Sequence, residues 1–209
     1  MATSAAAGKI SAAPAISAAL FQQDHFHARQ TRFSLTPKLY FHDQNGKTLA
    51  FVRNLSLHWN RGLRVFTDPT LSYELLTIRP ATEQTSERSF DVFDPVNHEQ
   101  AGKIKVPPVS GLQKQEWNLF NGAGEQIGHL QENSAMLAAM RRYLSEALPQ
   151  TYTFYGEDRI VGHASLMSGI FSPEMEIDVC CGDHTAFDRR LVVAALVIVW
   201  AGRSQQARS

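Results

Sequence analysis

The chain contains little cysteine and no excess of charge of either sign. Its 209 residues include only two cysteines, Cys180 and Cys181, which are adjacent. Neighbouring cysteines rarely bridge each other, so we expect no disulfide framework and a reducing, cytoplasmic compartment. The 20 Lys and Arg residues balance the 20 Asp and Glu residues, and this balance argues against a general nucleic-acid binder.

The chain also lacks an apolar run long enough to cross a bilayer. The apolar stretch Leu191–Trp200 has ten residues, whereas a transmembrane helix needs roughly 20. A run without a polar face must be buried on all sides, so we predict a helix inside a protein core, with a buried strand as the alternative. Asp188 is the expected N-cap, Thr185 is a second possible cap, and Gly202 stands where a C-cap glycine would.

The N-terminus is rich in Ala and Ser and poor in apolar periodicity. Pro14 interrupts its one apolar part, and Lys9 is the only cation before it. This pattern is untypical of a signal peptide. We therefore interpret residues 1–30 as a mobile tail, residues 31–202 as one domain, and residues 203–209 as a C-terminal tail.

One hairpin pattern recurs through the domain: an aromatic-rich strand, a turn with Asp, Asn or Gly, and a second strand with small or branched residues. The five copies begin at Lys38, Arg64, Phe90, Trp117 and Tyr152. Alternation of apolar and polar residues predicts strands with one buried face. A further strand is predicted at Glu174–Val179, and Ser56–Trp59 would bring the count to twelve.

A sheet of about twelve strands tends to close, and the closed sheet leaves a lumen that its own side chains do not fill. The apolar helix needs cover on every side. We therefore predict a mainly β fold, a closed antiparallel barrel of about twelve strands around a central C-terminal helix at residues 188–200. Recurrent glycines, Gly102, Gly128 and Gly162, would allow bending or close packing. Residues Glu132–Leu148 carry helical spacing and predict one extra surface helix.

The repeated hairpins, followed by Asp188-Arg189-Arg190-Leu191 and an apolar last helix, resemble the tubby C-terminal-like superfamily, and within it the scramblase-related and LURP-one-related proteins. The resemblance covers roughly Phe33 to Trp200 and lies in architecture more than in any single motif. It implies a twelve-stranded barrel around a hydrophobic helix, no catalytic site, and binding of phosphoinositide head groups by surface Lys and Arg. The cysteine cluster and the acidic calcium segment of the scramblases have no counterpart here, so neither scramblase activity nor a calcium site is expected.

Several motifs suggest chemistry but do not support it. The glycines of Gly122–Gly128 have the wrong spacing for a dinucleotide fingerprint and precede a strand pattern. Cys180, Cys181 and His184 lack a fourth zinc ligand at suitable spacing. The histidines His42, His129 and His163 occupy similar hairpin positions, which predicts solvent-facing strand sites. We expect no enzyme, no cofactor and no metal.

Surface cations are the remaining functional candidates. Arg61 and Arg64 flank a glycine near Trp59, and two cations with an aromatic side chain suit an anionic head group. The sequence therefore predicts a non-enzymatic binding module for anionic phospholipid or a membrane surface, with Arg61 and Arg64 as lipid-binding residues. The alternative is a protein–protein interaction module without lipid binding. Further candidate cations are Arg53, Lys103, Lys105 and Lys114.

Overall fold

The predicted mainly β fold is confirmed: the chain forms a closed antiparallel barrel of twelve strands with a helix at its C-terminal end. The computed structural model describes residues 19–31, 37–54, 62–81, 88–106, 108, 115–133, 150–157, 159–168, 173–178 and 187–206. The strands are β1 (His25–Thr31), β2 (Lys38–His42), β3 (Thr48–Val52), β4 (Leu63–Phe66), β5 (Glu74–Pro80), β6 (Arg88–Asp94), β7 (Glu99–Val106), β8 (Glu116–Asn121), β9 (Gln126–Glu132), β10 (Gln150–Gly156), β11 (Arg159–Ser168) and β12 (Pro173–Asp178).

All five predicted hairpins are present, as β2–β3, β4–β5, β6–β7, β8–β9 and β10–β11, and the strand predicted at Glu174–Val179 is β12. Strands β2, β4 and β8 alternate between buried and more exposed side chains, as in β2, where Leu39 and Phe41 are fully buried. The Gly-rich turn between β8 and β9 is held by Asn121, whose side-chain oxygen accepts hydrogen bonds from the backbone of Ala123 and Glu125. It is a hairpin turn and not a dinucleotide loop.

The twelfth strand lies where the sequence predicted a tail. Strand β1 covers His25–Thr31, within the segment 1–30, and it closes the barrel by pairing with both β2 and β12. The tail boundary at residue 30 was therefore wrong. A buried face of only Phe26 and Ala28 among polar neighbours gives too short an alternation to be recognised. Ser56–Trp59, the predicted twelfth strand, lies outside the described residues.

The C-terminal helix, α1, covers Arg189–Gln206 and occupies the barrel interior. Every residue from Leu191 to Ala201 is at most 6% exposed. The predicted N-cap is confirmed, because the Asp188 carboxylate accepts a hydrogen bond from the backbone of Arg190 at 2.9 Å. Burial of an all-apolar helix surface supplies the hydrophobic stabilisation that a helix without a polar face requires.

The predicted C-cap was wrong, and so was the predicted end of the helix at residue 200. Gly202 lies inside α1, which continues to Gln206. A helix interior accepts glycine at a cost of about 1 kcal/mol relative to alanine. The extra turn is held against the barrel by Arg203, whose Nη1 donates to Gln150 Oε1 of β10 at 2.9 Å.

Glycines bring the strands close to the N-terminal end of the helix, as predicted for two of the three sites. A Cβ at Gly102 would lie 2.1 Å from the Phe120 carbonyl oxygen and 3.1 Å from Leu191. A Cβ at Gly128 would lie 2.1 Å from the Tyr155 carbonyl oxygen and 2.8 Å from the Phe187 ring. Only glycine permits these approaches.

Other predictions fall beyond the described residues. The predicted surface helix Glu132–Leu148 lies outside them after Asn133, as do residues 1–18 of the predicted tail. Among the helices that the structure describes, none is long and apolar enough to cross a membrane.

Candidate functional site

The interior of the barrel is occupied by the protein itself. The largest fully buried side chains include Trp200 of the helix and Phe41 and Phe154 of the strands, all facing the same core. Because side chains of the helix and the strands fill the core, we expect ligand contacts on the outer surface and at the two ends of the barrel.

Arg64 lies on the outer surface of β4, where the sequence predicted a lipid-binding cation. Its side chain is 54% exposed, and Nη1 lies 3.5 Å from Glu74 Oε2 on the neighbouring strand β5. The Glu74 carboxylate also accepts a hydrogen bond from the Thr77 hydroxyl. A guanidinium has five N–H donors, so one long ion pair leaves capacity for a phosphate.

Arg61, the second predicted lipid-binding residue, lies outside the described residues. The next residue, Gly62, has a φ of +64°, and a Cβ there would lie 2.5 Å from the Ile78 carbonyl oxygen. Glycine is therefore required where the chain enters β4.

Of the other candidate cations in the described chain, Arg53 follows Val52, which pairs with Val65 beside Arg64, and two lie on β7 with partners of their own. On β7, Lys103 Nζ lies 3.8 Å from Asp91 Oδ1. Lys105 Nζ lies 4.9 Å from the centre of the Phe120 ring, within the range of a cation–π contact. Arg53 is exposed just after β3, and Lys114 lies outside the described residues.

A cluster of charges at the N-terminal end of the helix was not predicted. Arg190 binds three carboxylates: Asp188 Oδ2 at 2.6 Å, Asp94 Oδ2 at 2.8 Å, and Glu99 Oε1. Beside it, Arg189 pairs with Asp24 and donates to the backbone oxygen of Gln23 at 2.9 Å. Sequence reasoning used Asp188 only as a cap, because partners that are about 90 residues away give no local signal.

Hydrogen bonding sets the charge states in this cluster. Burial alone would raise the pKa of Asp94, which is 1% exposed, but hydrogen bonds from Arg190, Asn97 and Val96 outweigh it and the pKa lies below its usual range. The hydrogen bond to Asp188 raises the pKa of Arg190; burial opposes the rise, and Glu99 and Asp94 add to it. Asp94 and Arg190 are therefore both ionised near neutral pH.

Other predicted chemical motifs gain no support. Within the described residues, no group of three or more His, Cys, Asp or Glu side chains is arranged to hold a metal ion. Cys180, Cys181 and His184 lie outside that part of the chain. Of the three repeated histidines, His163 is exposed as predicted, while His42 and His129 are half-buried and stack on Tyr40 and Tyr155.

Comparison with known proteins yields a likeness of fold alone. No family model matches the chain, and no curated protein matches it. Among solved structures, the chain is similar to a protein from Arabidopsis thaliana known from an X-ray structure. The two share 13% sequence identity, with 86% of this chain and 91% of the other covered and a TM-score of 0.48.

Proposed function

We propose that this protein is a non-enzymatic binding module for anionic phospholipid head groups, of the tubby-like, scramblase-related kind. The filled barrel carries the proposal, because an interior occupied by α1 leaves the outer surface as the place for ligand contact. The closed twelve-stranded barrel around a hydrophobic helix is also the architecture that the resemblance of the repeated hairpins implies.

Arg64 is the residue that would contact the head group, together with Arg61. A phosphate would approach the exposed side of the Arg64 guanidinium and compete with Glu74, which lies 3.5 Å away. Because both partners are partly solvated, the existing pair is weak, on the order of 0–1 kcal/mol, and a doubly charged phosphate can displace it. Binding should therefore weaken steeply as salt is added.

Flotation of the protein with vesicles tests the proposal. Phosphatidylcholine vesicles with and without phosphoinositide are compared at pH 7.5, in low and in physiological salt. We expect flotation only with the anionic lipid, and a loss of about tenfold for the double variant Arg61→Ala/Arg64→Ala. Absence of any lipid-dependent shift at low salt would contradict the proposal.

Arg159→Ala is the matched control for that experiment. Arg159 is an exposed arginine at the start of β11, on another side of the barrel from β4. Its removal changes the net charge by one unit, as Arg64→Ala alone does, without touching the proposed site. Equal losses in Arg159→Ala and in the single variant Arg64→Ala would show that binding follows overall charge and not the Arg61/Arg64 site.

A protein–protein interaction module is the second candidate. Ile160 and Met167 on β11 are both 53% exposed, which is unusual for large apolar side chains on an outer strand face. Light scattering on the full chain, with Ile160→Ser for comparison, tests the simplest case of self-association. A concentration-dependent dimer lost in the variant would favour this candidate over the lipid proposal.

A further inference from the structure

Four adjacent strands, β11, β12, β1 and β2, present an ordered set of titratable side chains on the outside of the barrel. The strand register aligns them in three rows: His163, Asp178 and His25; then Ser165, Glu176, His27 and His42; then Met167, Glu174, Arg29 and Tyr40. The residues between them in each strand, such as Phe26, Phe41 and Ile177, face the core. We call the outward set His25, His27, His42, His163, Glu174, Glu176 and Asp178 the histidine face.

The contacts of these imidazoles are compatible with a gained proton. His25 Nδ1 meets the Asp178 carboxylate, His42 Nδ1 lies 3.4 Å from Thr48 Oγ1, and His163 Nδ1 lies 3.2 Å from Thr153 Oγ1. Carboxylate and hydroxyl oxygens both accept from an imidazolium N–H. Protonation therefore breaks none of these contacts.

Protonation gives these four strands a positive charge. With neutral imidazoles, the three carboxylates balance three cations on these strands, Arg29, Lys38 and Arg159. With four imidazolium groups added, cations outnumber carboxylates. Imidazole is the ordinary side chain that changes charge between pH 5 and 8.

Neighbouring groups do not cancel this added positive charge. In the part of the chain that the structure describes, the β2–β3 turn contributes one acid and one base, Asp43 and Lys47. The turn before β11 contributes Glu157, and Asp24 before β1 pairs with Arg189. The sign of the face is therefore set by the imidazoles.

We propose that the histidine face is an acid-activated contact surface for anionic phospholipid membranes. Neutral imidazoles leave the charges of these strands balanced, whereas protonated imidazoles add positive charge that attracts an anionic surface. Met167, which is 53% exposed, and Tyr40 lie in the third row and supply side chains suited to the bilayer interface. The inference takes its ligand class from the proposed function but uses a different part of the barrel from Arg64.

Vesicle partitioning at pH 7.5 and pH 5.5 tests the inference. The full chain is mixed with vesicles of phosphatidylcholine alone and with phosphatidylserine, at 0.1 M salt. A cation close to an anionic surface changes partitioning by roughly fivefold, so we expect at least a tenfold rise on acidification. The rise should need phosphatidylserine and should vanish in His25→Gln/His27→Gln/His42→Gln/His163→Gln.

His129→Gln is the control, since His129 lies on β9 outside the face and stacks on Tyr155. The four substitutions are on the outer surface, and retention of the circular dichroism spectrum verifies the fold. A double variant, His27→Gln/His42→Gln, tests the second row alone and should lose part of the rise. An unchanged rise in the quadruple variant, or an equal loss in His129→Gln, would overturn the inference.

The outcomes separate this inference from the proposed function. Binding at pH 7.5 that depends on Arg61 and Arg64, without a rise at pH 5.5, would overturn the inference alone. Binding confined to pH 5.5 and dependent on the histidines would support the inference and overturn the proposed Arg61/Arg64 site. Acid-induced binding to a single-stranded oligonucleotide but not to vesicles would identify a nucleic-acid surface and overturn the lipid assignment.

Discussion

The two ends of the central helix are attached to the barrel by different chemistry. At the N-terminal end, Arg190 and Arg189 bind carboxylates from three other parts of the chain, including the buried Asp94. At the C-terminal end, Trp200 Nε1 donates to Gln30 Oε1, and Arg203 donates to Gln150 Oε1. One end is an ionic cluster, and the other uses neutral amide acceptors.

The apolar middle of the helix and its charged end make different contributions to the structure. The apolar middle of the helix supplies burial but does not fix its position along the barrel axis, because dispersion contacts are not directional. The charged cluster fixes both the position and the direction of the helix, since each carboxylate has a defined partner. At the opposite end, amide oxygens of Gln30 and Gln150 accept hydrogen bonds from Trp200 and Arg203.

The largest expected effect comes from placing a charge in the apolar middle of the helix. Leu196 is 1% exposed, so Leu196→Asp would place an unpaired charge in a closed core. We expect a loss above about 5 kcal/mol, which leaves no folded domain. Circular dichroism and solubility measure this outcome. Leu196→Met, which keeps volume and polarity, should cost less than about 1.5 kcal/mol.

Removal of the central cation at the charged end should have the next largest effect. Arg190→Ala leaves the buried Asp94 without its guanidinium, and loss of one partner of a buried pair costs about 3 kcal/mol or more. Urea unfolding measures the difference. Arg203→Ala removes the same charge from the other end, together with the hydrogen bond to the neutral amide of Gln150, and should cost about 1 kcal/mol. Equal losses would refute the asymmetry between the two ends.

Acidification should affect the charged end selectively. Because hydrogen bonds hold the pKa of Asp94 below its usual range, its contribution is complete above about pH 4 and is lost as pH falls through the folded value. Asp94→Asn should therefore show a shallower fall in stability below pH 4 than the parent. Trp200→Phe, at the neutral end, should follow the parent's slope.

Asp68 also contributes to the fall in stability at low pH. Hydrogen bonds from the Thr70 and Thr67 hydroxyls lower the pKa of Asp68 to about 2 in the turn between β4 and β5. Its contribution is likewise lost between about pH 4 and pH 2, in every variant alike. The difference between the parent and Asp94→Asn is therefore the informative quantity. Parallel slopes in the two proteins would contradict the role of Asp94.

The smallest predicted effect is a gain at the neutral end. Gly202 lies inside the helix, and an added Cβ there meets no atom within 4 Å. Gly202→Ala should therefore stabilise the protein by about 0.5–1 kcal/mol in urea unfolding. A glycine acting as a left-handed C-cap would give the opposite sign, so a loss of stability would indicate that the helix ends at Gly202.

The barrel could be predicted from the sequence because its strands and its helix each have a recognisable local pattern. Five hairpins show alternating strands around recognisable turns, and the run Leu191–Trp200 has no polar face. Strand β1 was missed, because Phe26 and Ala28 alone form its buried face in the described chain. The helix end was misplaced because a glycine is equally compatible with a cap and with a helix interior.

The sequence predicted less of the candidate site. The exposure of Arg64 follows from strand alternation, but its pairing with Glu74 depends on a β-bulge register that no motif encodes. The Arg190 cluster and the rows of the histidine face join residues far apart in the chain. Only the closed topology brings β1 beside β12, so His25 and Asp178 could not be connected beforehand.

Hydrogen exchange of the helix amides tests the central claim most directly, namely that the barrel encloses α1 along its apolar length. The amides of residues 192–200 should exchange only through global unfolding, with the same free energy as urea unfolding gives. Exchange of these amides at the rate of an exposed helix, while β10 and β11 stay protected, would contradict the account.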